Sequence, residues 1–345
     1  MNKKVILSLI IGSVFLVAAF VYKYFENAST KPKVEYIHNE GKTQGTFYSA
    51  TYLQPEGIDL QSKIEEKLQQ FDLSLSTYNP NSIISQINNN VDTVKTDIYF
   101  DEMYAMARSV SEKTNGAFDI TVAPLVNAWG FGFGNHKRDK DPDLKSILPY
   151  IGYKKIKLEN HKIIKDNPHI ELDASALAQG QSTDVISKFL EENGCTQYMV
   201  EIGGEVMCKG LNPKGEKWRI GIDKPIDEPT SMEQDFQTIV AISGVAINTS
   251  GNYRQFYYRD GKKYAHEIDP RSGYPVVHSL LSATVVAPTC IQADAYATAF
   301  MILGVDSALQ ICKTIPDMEC YLIYSDKNGK NKVVYTEGFK KYITE

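Results

Sequence analysis

The chain has 345 residues, 43% of them hydrophobic, enough to bury one large core or two modest ones. Its 37 basic residues are outweighed by 42 acidic ones, a net charge of -5, which removes the electrostatic case for nucleic acid. The five cysteines, Cys195, Cys208, Cys290, Cys312 and Cys320, are odd in number and include no Cys-x-x-Cys pair, which argues against a zinc knuckle or a dense disulfide framework and leaves room for one disulfide.

Two lysines precede residues 5–22, a run without a charge that is just long enough to span a bilayer with its N-terminus on the cytoplasmic side. Val17-Ala18-Ala19 also offers small residues for cleavage, so residues 1–24 are read as a signal anchor or a signal peptide. Either way the body is expected outside the cytoplasmic membrane. No cysteine follows the run, which argues against a lipoprotein anchor. Residues 25–34 have a linker's composition; the linker is expected over residues 25–42 and the folded domain over 43–345.

Residues 45–52 alternate like a strand, and residues 58–71 are patterned as a helix that ends in a polar turn over 75–82. A second helix is predicted over 99–113, where Met103, Met106, Ala107 and Val110 form a stripe and Asn115-Gly116 a stop signal. Glycines alternating with aromatics from Trp129 to Gly134 read as a loop pinned by its rings. A hairpin is expected around Glu159-Asn160-His161. Residues 171–180 form a small-residue turn feeding a helix from about Ser182 to Glu192, and the free amides of a helix start make a natural phosphate cradle.

The remainder is strand-rich. Strands are predicted over 198–206, 218–222 and 239–247, and hairpins across Asp260-Gly261 and Asn328-Gly329. The first of these hairpins ends in a dense polar turn over 266–275. An apolar run over 282–287 then leads into a helix reaching Leu303, on which Asp294 and Thr298, spaced i, i+4, share one face. A carboxylate and a hydroxyl so placed suit a hard divalent cation such as Mg²⁺. Read alone, the pair fits better a helix cap and a hydroxyl bonded back into its own turn.

Taken together, Ser76-Thr77-Tyr78, Gly116-Ala117-Phe118-Asp119-Ile120-Thr121, residues 173–180, Thr249-Ser250-Gly251, His266-x-Ile268-Asp269-Pro270-x-x-Gly273-x-Pro275 and Ala293-Asp294-Ala295-x-x-Thr298 resemble the ApbE family of FAD:protein FMN transferases. The resemblance runs from about Gly45 to Leu303. It implies a single α+β domain of mixed, largely antiparallel sheets with packed helices, preceded by the N-terminal apolar segment. It also implies a Mg²⁺-dependent transfer of FMN from FAD to a Thr or Ser of a partner protein, with AMP leaving and the partner a subunit of a membrane redox complex. The metal is then expected on Asp294, Thr298 and the carbonyl of Ala178. FAD contacts are expected from Gln44, Tyr78, Ala117, Phe118, Asp119, Ser175, Gln181 and Ile268.

The chain departs from the family's pattern in having Gln179, Gln181, Gln44 and Ala297 where many members have a Lys, an aromatic, a Met and a second carboxylate. Because the attacking alcohol must lose a proton near neutral pH, His266 is the candidate base, with Asp269 orienting it or acting itself. Two other functions fit the same residues: an FAD pyrophosphatase giving FMN and AMP, and a flavin-binding protein without catalysis.

Overall fold

The computed structural model describes residues 35–132, 138–225, 236–253 and 256–344, so the apolar segment and residues 25–34 of the linker lie outside the described residues. The chain enters as strand β1 (Ile37–Thr43), which pairs with β2 (Thr46–Tyr52) across Gln44-Gly45, both at positive φ. The expected linker therefore ends before residue 37. Strand β1 escaped the pattern reading because its outward positions carry His38, Glu40 and Lys42.

Helices α1 (Gln61–Leu75), α2 (Ile83–Asn88) and α3 (Ile98–Lys113) follow. Asp97 caps α3 by accepting the Phe100 amide at 2.9 Å, and the expected stripe of α3 is buried at Met103, Ala107 and Val110. Helix α4 (Ala123–Trp129) turns the front of the expected aromatic loop into a helix, with Trp129 fully buried. A short α5 (Leu144–Ile147) and the hairpin β3 (Ile156–Glu159) and β4 (Lys162–Lys165) complete the first half.

Helix α6 (Ser175–Glu192) begins seven residues before the expected start near Ser182, so the small-residue turn is itself helical. The apparent strand at 198–206 is a hairpin, β5 (Tyr198–Ile202) and β6 (Glu205–Lys209), folded at Gly203-Gly204. Strand β7 (Trp218–Asp223) pairs with β8 (Phe236–Ile242), and Gly244 at positive φ separates β8 from β9 (Val245–Gly251), dividing what reads as one strand. Then come the hairpin β10 (Phe256–Arg259) and β11 (Lys262–Ala265), strand β12 (Leu280–Ala287), α7 (Cys290–Leu303), α8 (Val305–Cys312), β13 (Glu319–Ser325) and β14 (Asn331–Tyr335).

Eight strands form one antiparallel sheet in the order β1-β2-β5-β6-β9-β12-β13-β14. Along β12 and β13 alternate side chains enter two cores. Ala283, Val285, Ala287, Cys320 and Leu322 face α3, α6 and α7; Val286, Tyr321 and Ile323 face the β7–β8 hairpin and Phe339. A strand covered on both faces reads as an unbroken apolar run, which is why β12 was visible in the sequence. The result is α+β, as expected. All five cysteines are buried free thiols, and no helix among the described residues is long and apolar enough to cross a membrane.

A smaller cluster of Leu125, Trp129, Leu144, Ile151, Tyr264 and Ile268 holds the polar turn that follows β11. The Trp129 Nε1–H donates to the Gly273 carbonyl at 2.7 Å, and its ring stacks on Tyr264 at 5.7 Å. Gly273 sits at φ +80, where a side chain is strained and a Cβ would press on Leu144 and Leu148. Replacing Trp129 by Phe leaves that carbonyl without its donor, and the variant is expected to lose about 1–3 kcal/mol in urea unfolding. An unchanged midpoint would show that the indole bond does not anchor the turn.

Candidate active site

Helices α6 and α7 meet through two carboxylates. Asp294 Oδ2 accepts the Gly180 amide of α6 at 3.0 Å. In return Asp184 of α6 accepts the amides of Cys290 at 2.8 Å and Ile291 at 2.9 Å, the first two residues of α7. Those amides have no partner within their own helix, so Asp184 caps α7 from across the interface. Only glycine fits at 180: a Cβ there would lie 2.6 Å from the Cys290 carbonyl oxygen and 2.8 Å from Asp294 Cβ. Burial pushes both carboxyls up from the usual 3.8 to about 7, against the opposing pull of the amide hydrogen bonds.

Thr298 lies one turn beyond Asp294, with Ser250 Oγ of β9 at 3.4 Å from its hydroxyl. Asp294 Oδ1 has no hydrogen-bond partner among the described residues, and neither Asp294 nor Asp184 is paired there with a Lys, Arg or His. Ala178 lies in the first turn of α6, two residues from Gly180. No cluster of three or more His, Cys, Asp or Glu gathers among the described residues, so a cation here relies on one carboxylate, a hydroxyl and a carbonyl. That all-oxygen set, around a buried carboxylate with no cation beside it, fits Mg²⁺.

The expected FAD contacts divide into those that offer surface and those that do not. Tyr78 is 82% exposed and Ser175 is exposed at the start of α6. Both amide atoms of the Gln44 side chain are buried without a hydrogen-bond partner, which suits a polar ligand group. Nearby, Gln179 lies over Gly203 of the β5–β6 turn, whose amide donates to Phe47 beside the β1–β2 turn.

By contrast, Ala117, Phe118 and Ile268 are 0%, 2% and 3% exposed, with Phe118 and Ile268 packed into hydrophobic clusters. The Asp119 carboxylate is committed internally: it accepts the Thr121 amide, the Thr121 hydroxyl and the Tyr153 amide at 2.8, 2.7 and 2.6 Å. Burial raises its pKa and those bonds partly restore it. Gln181 donates to the Tyr99 carbonyl at 2.8 Å and lines a cleft of about 680 Å³ between α3, α6 and α7, which Asp184 and Ile291 also line and none of residues 117–119 or 266–275 does.

His266 is half-exposed after β11, and its Nδ1 lies 3.5 Å from Oε2 of Glu267. Asp269 does not orient it. The Arg271 guanidinium donates to both Asp269 oxygens at 2.8 Å, and the Arg271 amide adds a third bond at 2.9 Å. Ser250 lies in the Thr249-Ser250-Gly251 motif, whereas Asp184 and Glu267 were not among the expected site residues. The only signal for Asp184 was an acidic residue between the buried Thr183 and Ile186.

The fold is that of solved flavin transferases. It is similar to flavin transferase ApbE from Vibrio cholerae, with a TM-score of 0.79 and 32% identity over 89% of this chain and 99% of that one. It is similar also to the apo Pseudomonas stutzeri flavinyl transferase ApbE, with a TM-score of 0.78 and 28% identity over 89% and 96%. The sequence model of the ApbE family matches residues 44–322, and the chain belongs to that family of enzymes. A Haemophilus influenzae FAD:protein FMN transferase is 34% identical over 317 residues, covering 88% of this chain and 90% of that protein. The Escherichia coli protein of the same name is 33% identical over 310 residues, covering 84% and 86%.

Both interface carboxyls bind protons more tightly folded than unfolded. Their contribution to stability is therefore full below the ordinary 3.8 and is lost as pH rises toward 7. In chelator, unfolding free energy should fall over that window, and Asp294→Asn should flatten the fall by removing one of the two groups. Parallel curves for the two proteins in urea titrations from pH 4 to 7 would refute the assignment.

Proposed function

We propose that this protein is a Mg²⁺-dependent FAD:protein FMN transferase that moves FMN from FAD to a Thr or Ser hydroxyl of a partner protein through a phosphoester bond. The observation that carries the reading is the Asp294 carboxylate, buried where α6 and α7 cross, with one oxygen on the Gly180 amide and Thr298 one turn away. Membership of a family whose relatives are named for this transfer supports it.

Asp294, Thr298 and the Ala178 carbonyl would hold the metal, which when bound neutralises charge on the pyrophosphate oxygens. In the reaction the acceptor hydroxyl oxygen bonds to the FMN phosphorus, the bond from that phosphorus to the bridging oxygen breaks, and AMP leaves with that oxygen. His266 takes the hydroxyl proton. Tyr78 offers a ring face to the flavin or adenine. Gln44 offers an unpaired buried amide to a polar group of FAD.

The test is to incubate the protein with FAD labelled in its flavin half, with and without Mg²⁺, and candidate acceptor domains, then to follow fluorescence in a denaturing gel. Label should move to protein only with Mg²⁺. Asp294→Asn should lower Mg²⁺ affinity and transfer by roughly tenfold or more. His266→Ala should slow transfer with FAD affinity nearly unchanged. Label found wholly in free FMN would make the protein an FAD pyrophosphatase instead.

The reading extends to place. The charge-free run at residues 5–22 supports a body tethered to or released from the outer side of the cytoplasmic membrane, where an acceptor on a membrane redox complex exposes its hydroxyl. Deleting residues 1–24, well before β1, should leave transfer intact in vitro and abolish modification of an exported acceptor in the cell. Full modification of that acceptor by a truncated protein retained in the cytoplasm would overturn the placement.

A further inference from the structure

Glu267 is the one carboxylate in the turn after β11 that the reading above leaves unused. Its side chain is buried, and neither of its oxygens makes a hydrogen bond. The other acid of the turn, Asp269, is neutralised by Arg271 at 2.8 Å. A buried carboxylate without a donor is costly and persists only beside a compensating charge. Among the described residues its one such neighbour is His266, with Nδ1 at 3.5 Å from Oε2, an ion-pair distance without hydrogen-bond geometry.

The backbone keeps Glu267 in place. Its carbonyl accepts the Val276 amide at 2.9 Å, Ile268 forms a β-bridge with Pro275, and the Asp269 amide donates to the Tyr274 carbonyl at 3.0 Å. Trp129 holds the same turn at Gly273. The carboxylate is thus fixed beside one edge of the imidazole.

We infer that Glu267 is a positioning residue for the transfer: it holds Nδ1 of His266 as the protonated nitrogen, so that Nε2 takes the proton of the acceptor hydroxyl. The inference rests on the reading of His266 as the base. A carboxylate at Nδ1 fixes the tautomer and stabilises the imidazolium formed when the proton arrives, without touching the substrate or becoming protonated itself. At 3.5 Å the carboxylate attracts the imidazolium more strongly than the neutral ring, so the stabilisation is greater after proton transfer than before it.

The experiment uses the full chain and the variants Glu267→Gln, Glu267→Asp and His266→Ala, with FAD, Mg²⁺ and an acceptor domain that the wild-type chain modifies as probes. The ring nitrogens of His266 are followed by NMR, their resonances identified by their loss in His266→Ala. AMP release in the presence of the acceptor and FAD binding are measured in parallel. The neutral ring should carry its proton on Nδ1, and Glu267→Gln should move it toward Nε2, since the carboxylate beside Nδ1 is gone. AMP release at saturating FAD should fall roughly tenfold or more with FAD affinity unchanged, and Glu267→Asp should restore both in part. An unchanged His266 tautomer in Glu267→Gln would overturn the pairing. A changed tautomer combined with wild-type AMP release in His266→Ala would instead overturn the reading of His266 as the base, and with it the role of Glu267.

Discussion

The exchange of carboxylates between α6 and α7 fixes the rest of the molecule. Each helix presents backbone amides to an acid carried by the other, and neither acid has a cationic side chain beside it among the described residues. Such an arrangement holds only while the helix axes stay in contact, because separating them breaks all three carboxylate–amide hydrogen bonds at once. The close approach in turn demands glycine at 180. Asn248 of β9 ties the crossing to the sheet: its side chain donates to the Cys290 carbonyl at 3.2 Å and accepts the Cys290 thiol at 3.1 Å. A metal site built from this crossing inherits the rigidity of the core.

The second half of the site is held differently. The turn over residues 266–275 is a loop made stiff by aromatic packing, with Trp129, Tyr257 and Tyr264 stacked beneath it and Arg271 folded back on Asp269. A Cβ at Gly116 would lie 3.8 Å from Arg271 Cγ, so the segment carrying Ala117, Phe118 and Asp119 abuts this turn. Asp119 binds the Tyr153 amide and Phe118 fills the main core, which keeps the loop against its neighbour.

Long elements with one dominant signal were legible in the sequence: the buried strand β12, the apolar helix α7, the striped α3 and the hairpins with Asn or Asp at positive φ. The early start of α6 was not. Residues Ser175 to Gly180 read Ser-Ala-Leu-Ala-Gln-Gly, in which Ala, Leu and Gln favour a helix while the flanking Ser and Gly suggest a turn, and the helix formers prevail. Likewise the Gly203-Gly204 and Gly244 breaks lie inside apolar runs, so composition joined strands that the backbone separates. Of the site, the i, i+4 pair on α7 was readable because both members lie on one element. Asp184 was not, since its partners are backbone amides 106 and 107 positions away.

The order of the main sheet leaves β1 and β14 at its two ends. Each therefore exposes a row of backbone donors and acceptors that another extended chain can extend, the route by which sheets aggregate. Both ends carry charge where it counts. His38, Glu40 and Lys42 point outward from β1, and the exposed Lys332 lies on β14. A second copy docking edge to edge would have to strip these charged groups of water. The same polarity that hid β1 from pattern reading makes its edge a poor template for a further strand.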